Sequence, residues 1–340
     1  MKKILFLLSI FPISGNYSFV LNENNIKFHQ TYILGDSLSD TGGLVGAGTD
    51  FVKNNYLLPH LNKILMDGPY YKNRSFSNGP VAVEYLAKEL NFNLVPSWKF
   101  STYFESCHYE QVGNNYAVGG MQIGDNDSWY GYFVNNRLSV PNQLRALESH
   151  HKIQTDDLII LEAGSNDLLA AIEESKSEKS LAIINTAINS EDTVIIKLLA
   201  DGARHIVVTD EPNLGLVPRY YETNKQENAS LWSQNYNEKW NKMLNKIKVD
   251  YPNAIRKYEF SKAFSKYQDL FKKEGKNTTQ SAIKSIFRTL LTSGKITTEY
   301  INGAKPETLN DFFFLDEVHP TSLVQKMVRV DMIQLVKNWN

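Results

Sequence analysis

The chain has 340 residues, with 36 Lys and Arg against 37 Asp and Glu for a formal charge of −1, and is 42% hydrophobic and 21% charged. That balance excludes a nucleic-acid binder, because neutralising many phosphates takes a basic stripe and no long Lys/Arg run is present. The 17 Phe, 5 Trp and 18 Tyr against only 19 Gly and 11 Pro exclude a disordered or collagen-like chain, and supply apolar material for one large core or two domains.

At the start, Met1-Lys2-Lys3 precedes a mostly apolar run from Ile4 to Ile13, followed by the small residues Ser14-Gly15. A positive segment, a short apolar one and small residues predict a signal peptide over about residues 1–18, and hence a secreted or periplasmic protein. The alternative is a first apolar strand of a cytosolic domain. No later stretch approaches the 18 or so apolar residues of a membrane helix, so the mature chain is expected to be soluble. Cys107 is the one cysteine, which rules out an intramolecular disulfide and leaves cysteine-based zinc sites without ligands. It reads as a small, partly buried apolar residue.

Thr31 to Leu34, Asp157 to Leu161, His205 to Thr209 and Phe312 to Leu315 are short β-rich apolar runs, each ending in a Gly/Asn/Asp/Ser cluster. They predict buried strands, with a weaker fifth at Asn114 to Val118. Helical spacing recurs over Val81 to Leu90, Val140 to His150, Ala182 to Ala200 and Ser322 to Val336. Strands alternating with helices predict a three-layer α/β/α sandwich around a parallel sheet, a single domain over 27–340. The Lys/Asn/Glu-rich stretch from Pro218 to Pro306 breaks the alternation. It reads as a mainly helical insertion, with helices expected around Ser230 to Lys248 and Ser281 to Leu291, either packing on the sheet or covering the site.

In such sheets ligands bind beyond the carboxyl ends of the strands, and four strand ends carry reactive residue types. The first ends in Gly35-Asp36-Ser37-Leu38-Ser39-Asp40, where a serine at a strand-to-helix turn is a candidate nucleophile. It is not the G-x-S-x-G elbow of α/β-hydrolases, since Asp36 precedes the serine and no glycine stands at the matching flank. The last opens into Asp316-Glu317-Val318-His319-Pro320. An Asp and a His three apart can pair, the carboxylate fixing the imidazole tautomer so that Nε2 faces the serine as general base. Donors for a developing oxyanion are available from the Ser37 N–H, from Gly120 after the Asn115-Tyr116-Ala117-Val118-Gly119 run, and from the side-chain amide of Asn166 in Gly164-Ser165-Asn166-Asp167.

These four blocks, in this order, resemble the signature blocks of the GDSL (SGNH) lipases and esterases. The resemblance extends over most of the chain: Arg74 to Pro80, Val83 to Ala87 and Asn213 to Pro218 are similar to further family stretches, shared with the bacterial secreted branch of phospholipases A, lysophospholipases and glycerophospholipid:cholesterol acyltransferases. The resemblance implies a flavodoxin-like hydrolase fold, Ser37 as nucleophile, Asp316 and His319 completing a triad, and Ser37, Gly120 and Asn166 forming the oxyanion hole. It implies no metal or organic cofactor. One departure concerns the loop-closing disulfide of some acyltransferases in this branch, which a chain with Cys107 alone cannot form.

Other candidates carry less. His150-His151 has no third metal ligand nearby and suits a helix end. Asp210 and Glu211 read as a turn or as part of the pocket floor, and the aromatic groups Tyr70-Tyr71, Trp129 to Phe133 and Phe51 to Leu58 as core or as the lining of an acyl groove. The expected activity is that of a serine esterase on lipid acyl esters, a lysophospholipase or phospholipase A with acyl transfer to a sterol or other alcohol as a second outcome. Its expected partners are the lipid substrate and, transiently, a membrane surface. The alternatives are a carbohydrate acetylesterase and, from another class, a non-catalytic lipid-binding or adhesion module.

Overall fold

Runs of β-branched and other apolar residues form the middle of the molecule. The computed structural model describes residues 28–53, 60–98, 111–124, 136–337 and 339. The predicted signal peptide, Cys107, Trp129 to Phe133 and residues 54–58 lie outside the described residues. In chain order the elements are β1 (Thr31–Gly35), α1 (Gly43–Lys53), β2 (Leu65–Met66), α2 (Ala82–Glu89), α3 (Asn136–Leu138), α4 (Val140–His150), β3 (Leu158–Glu162), α5 (Ser165–Glu173), α6 (Ser177–Ala200) and β4 (His205–Thr209). They continue with α7 (Gln226–Asp250), β5 (Ile255–Tyr258), α8 (Phe260–Lys273), β6 (Asn277–Ser281), β7 (Ile283–Ile286), α9 (Leu290–Ser293), β8 (Lys295–Tyr300), β9 (Phe312–Phe314) and α10 (Ser322–Lys337).

The central sheet is parallel in the order β1-β3-β4-β5. Every residue of β1 and β3 is buried, as expected of strands covered on both faces. Residues 114–118 run along the free edge of β1: Ile33 N–H donates to the Asn114 carbonyl at 3.0 Å, and Tyr116 N–H to that of Ile33 at 2.8 Å. Counting that segment as second in sequence, the order is 2-1-3-4-5. Successive connections diverge beside β1, which opens a crevice at the carboxyl ends of the strands. Helices α4, α5, α6 and α7 pack together, while α10 packs with α2 and α8. Among the described residues no helix is long and apolar enough to cross a membrane.

The α/β architecture agrees with the sequence reading, and three details correct it. The stretch 218–306 holds the helix expected around Ser230 to Lys248, as α7, but its first part does not break the alternation: α7 leads into β5, which pairs with β4 from Ile206↔Ile255 to Thr209↔Tyr258. Nor is Ser281 to Leu291 a helix. Ile283 to Ile286 is β7, paired antiparallel with β8 from Ile283↔Tyr300 to Ile286↔Thr297, and β8 carries β2 on its other edge. Their helical spacing of apolar residues is overridden by a partner strand further along the chain. In addition, β9 lies outside the central sheet, in a separate parallel pair with β6.

Two apolar bodies result. The larger gathers the central strands and their helices, with Ile33, Leu34, Ile159, Ile160 and Val207 fully buried. Truncating one of these to alanine would cost about 2–5 kcal/mol. The smaller holds Met66, Phe76, Ile283, Ile296, Phe312 and Leu315, with Leu44 and Val45 of α1 packed against it.

Candidate active site

At the end of β1 the backbone of Gly35 passes so close to β3 that a Cβ would stand 2.1 Å from the Glu162 carbonyl oxygen. Only glycine fits there, and the next turn delivers Ser37, which is 7% exposed. Asp40 holds that turn in place. Its carboxylate accepts N–H groups from Gly42, Gly43 and Leu44 at the start of α1, and from Gly119 at 2.7 Å across the crevice. One side chain thereby fixes the serine turn against the turn carrying Gly120. Gly120 has φ +80, a region that favours glycine, and nothing lies within 4 Å of where its Cβ would stand.

The segment after β9 closes on itself, with Leu315 N–H donating to the His319 carbonyl at 2.8 Å. Inside this tight loop the Asp316 carboxylate accepts the backbone N–H of Val318 and His319, and lies 2.9 Å from His319 Nδ1. His319 Nε2 is 2.8 Å from Ser37 Oγ. The Phe76 ring covers the imidazole at a centroid distance of 4.8 Å. Burial disfavours the imidazolium, but Asp316, with Asp36 and Glu317 beyond it, outweighs that and raises His319 above its ordinary value. For Asp316 burial works upward, and is overcome by His319 and by hydrogen bonds from His319 and Tyr70, so the carboxyl sits below the usual range.

Asn166 leaves the first turn of α5 and faces the same cavity as Ser37, Gly120 and His319. Its amide nitrogen donates to Asp36 Oδ2 and to the Met121 carbonyl, each at 3.1 Å. Burial pushes Asp36 up to about 6, against the pull of the Leu38 N–H, His319 and Asn166. Beneath these groups Ser39 Oγ donates to Glu162 at 2.9 Å and Ser165 Oγ donates to Glu211. Burial raises both glutamates well above the carboxylate range.

The cavity measures about 430 Å³. Its reactive edge is polar, and the remainder is largely apolar: Leu44, Val45 and Val52 of α1, Ile64 and Ile296 on one side, Leu214 and Val217 on the other. Chemically, a hydroxyl hydrogen-bonded to an imidazole that is itself held by a buried carboxylate can lose its proton as it attacks a carbonyl.

A sequence profile of the GDSL-like lipases/acylhydrolases matches residues 32–329. The chain belongs to this family. It is 24% identical to the anther-specific proline-rich protein APG of Arabidopsis thaliana, over 89% of this chain and 60% of that one. It is 28% identical to the phosphatidylcholine-sterol acyltransferase of Aeromonas hydrophila, over 72% of this chain and 62% of that one. The chain thus spans less than two thirds of the length of these relatives. Among solved structures, the acetylxylan esterase Axe2 of Geobacillus stearothermophilus aligns over 92% of this chain and 96% of its own, at 9% identity and a TM-score of 0.40.

All five residues singled out from sequence, Ser37, Gly120, Asn166, Asp316 and His319, line this one cavity. Others lie elsewhere. Tyr116 Oη is 3.0 Å from His150 Nδ1, and His151 Nε2 is 2.9 Å from the Gly113 carbonyl oxygen, so both histidines join the turn at the end of α4 to the 113–116 segment. Asp210 accepts from the Ser261 N–H and hydroxyl at the start of α8. Sequence reasoning missed the placement of Phe76 and Tyr70 around the Asp316/His319 loop, because nothing local to either residue points to a partner over 240 positions away.

Proposed function

We propose that this GDSL hydrolase is a serine esterase acting on lipid acyl esters, as a lysophospholipase or phospholipase A, with acyl transfer to an alcohol such as a sterol as the alternative fate of the acyl group. The observation that carries this reading is the unbroken Ser37–His319–Asp316 hydrogen-bond chain opening into an apolar cavity of about 430 Å³. His319 Nε2 takes the hydroxyl proton as Ser37 Oγ attacks the ester carbonyl, and Asp316 stabilises the imidazolium that forms. The oxyanion meets the backbone N–H groups of Ser37 and Gly120 and shares one hydrogen of the Asn166 amide with its present acceptors. His319 then returns the proton to the leaving alcohol. Water, or a second alcohol, gives its proton to His319 and attacks the acyl-enzyme, releasing the acid or a new ester.

The apolar walls favour a long acyl chain over acetate, since each buried methylene gains about 0.8 kcal/mol. Phe51 and Phe287, 49% and 55% exposed, stand at the cavity and suit transient contact with a lipid surface. The resemblance of the chain to a phosphatidylcholine-sterol acyltransferase is consistent with such a substrate.

The test pairs fluorophosphonate labelling with turnover of lysophosphatidylcholine by the wild type and Ser37→Ala. Labelling and fatty-acid release are expected in the wild type and both vanish in the variant. A folded, unlabelled wild type would identify a binding module instead. Activity on p-nitrophenyl esters that peaks at acetate and disappears beyond butyrate would move the substrate to acetylated carbohydrate.

A further inference from the structure

Tyr70 belongs to the smaller apolar body, is 2% exposed, and packs edge-on against Phe76 at 6.1 Å. Its ring needs no explanation beyond that. Its hydroxyl does, because it lies 2.7 Å from Asp316 Oδ2 and 2.6 Å from Ser285 Oγ on β7. A phenol has one hydrogen, and an ionised carboxylate can only accept. Tyr70 therefore donates to Asp316, and Ser285 donates to the Tyr70 oxygen. The result is a directed chain, Ser285 to Tyr70 to Asp316, whose carboxylate also holds His319, and through His319 Nε2 the Ser37 hydroxyl. Ser285 and Ser37 both line the cavity, so the chain begins and ends on its wall.

We propose that Tyr70 is a positioning residue for the Asp316/His319 pair, fixing Oδ2 of the carboxylate from outside its own loop and tying it through Ser285 to the β7 wall of the cavity. This rests on the reading of Ser37, His319 and Asp316 given above. Without Tyr70, Asp316 keeps, among the described residues, donors from its own loop alone: the Val318 and His319 amides and the imidazole itself. Both loop amides bond Oδ1, so without the phenol only the imidazole reaches Oδ2, whereas Tyr70 gives that oxygen a donor of its own. Burial raises the Tyr70 hydroxyl well above its ordinary value, with Asp316 and Glu317 adding to the effect, so the donor stays protonated throughout the working pH range.

Removing the donor also concentrates the Asp316 charge on the imidazole. The groups acting on His319 are Asp316, Asp36 and Glu317, all acidic; the cation on the same cavity wall, Arg219, is engaged by Glu317 at 3.3 Å and Glu173 at 3.7 Å and touches neither Asp316 nor Tyr70, so its pull is the same with and without the phenol. A better-stabilised imidazolium needs a higher pH to lose its proton and act as base.

The test measures kcat and KM of Tyr70→Phe on p-nitrophenyl butyrate across pH, beside the wild type and Ser285→Ala. Phenylalanine keeps the ring packed against Phe76. Expected are a loss of about tenfold in kcat, KM within about twofold, and an acidic limb of kcat/KM moved up by about half a unit. Ser285→Ala, which only weakens the Tyr70 donor, shifts the limb in the same direction by less. An unmoved limb with kcat within about twofold overturns the proposal, as does a raised KM at unchanged kcat, which would make Tyr70 a substrate contact. Should Tyr70→Phe fail to fold, the Ser285→Ala limb decides alone. Fluorophosphonate labelling separates the two failures: an unlabelled wild type sinks the serine reading, whereas a labelled wild type with unshifted variants sinks only the role of Tyr70.

Discussion

On the central-sheet side of the cavity, each reactive group leaves a turn, a loop or the first turn of a helix and is gripped by directional bonds: Ser37 beside Asp40, Asn166 on Asp36 and the Met121 carbonyl, His319 on Asp316. On the α1 and β8 side, Val45, Val52, Ile64 and Ile296 offer only apolar surface. The difference follows from what each wall must do. Proton transfer and oxyanion binding require atoms at fixed distances and angles, which hydrogen bonds enforce. An acyl chain requires only to be kept from water, which non-directional packing achieves. Chemistry and chain-length preference should therefore be separable by mutation.

The largest effect expected is on the first wall. His319→Ala lowers kcat by about 10⁴-fold or more, and by the same factor for short and long esters. Steady-state kinetics on acetate and decanoate esters checks this, and unequal factors would break the separation. A smaller, selective effect belongs to the second wall. Val45→Trp fills the apolar side and lowers kcat/KM for the decanoate ester about tenfold, with the acetate ester within about twofold, in the same assay.

The smallest effect concerns the acids buried behind the first wall. Glu191 accepts from Trp240 Nε1 at 2.8 Å and from the Tyr236 hydroxyl, and burial pushes it up to about 8. Burial likewise pushes Asp167 up to about 7. In both cases the folded chain keeps protons that the unfolded chain has already released. Stability therefore falls as pH rises from the ordinary carboxyl range through these values. Glu191→Gln removes part of that slope: Tm is unchanged near pH 5 and rises by about 2–4 °C at pH 9, read by thermal melts.

The reactive wall was legible in sequence because glycines and small polar residues at the ends of apolar runs are local signals. Gly35 to Asp40 and Asp316 to His319 announce turns whatever they pack against. The other wall was not legible. In Ile283 to Leu290 the spacing of Ile283, Ile286, Phe287 and Leu290 suits a helix, and only pairing with β8 makes the first part a strand. Similarly β5, Ile255-Arg256-Lys257-Tyr258, has a charged middle that hides a sheet strand. Its Lys257 is accommodated by the buried Asp210 at 3.1 Å, a contact between residues from two different strand ends. The Tyr70 hydroxyl illustrates the same limit, being defined by partners 215 and 246 positions away.

The Asp40 carboxylate, with its four amide donors, has a consequence for redesign. Swapping in a relative's α1 loop to reshape the acyl pocket would also shift the glycine turn facing it, since both are anchored to one side chain. The two pieces form an indivisible cassette. Loop exchange in this protein should therefore keep Asp40 together with the backbone from Gly42 to Leu44 and Gly119, and vary only the apolar positions further along the helix.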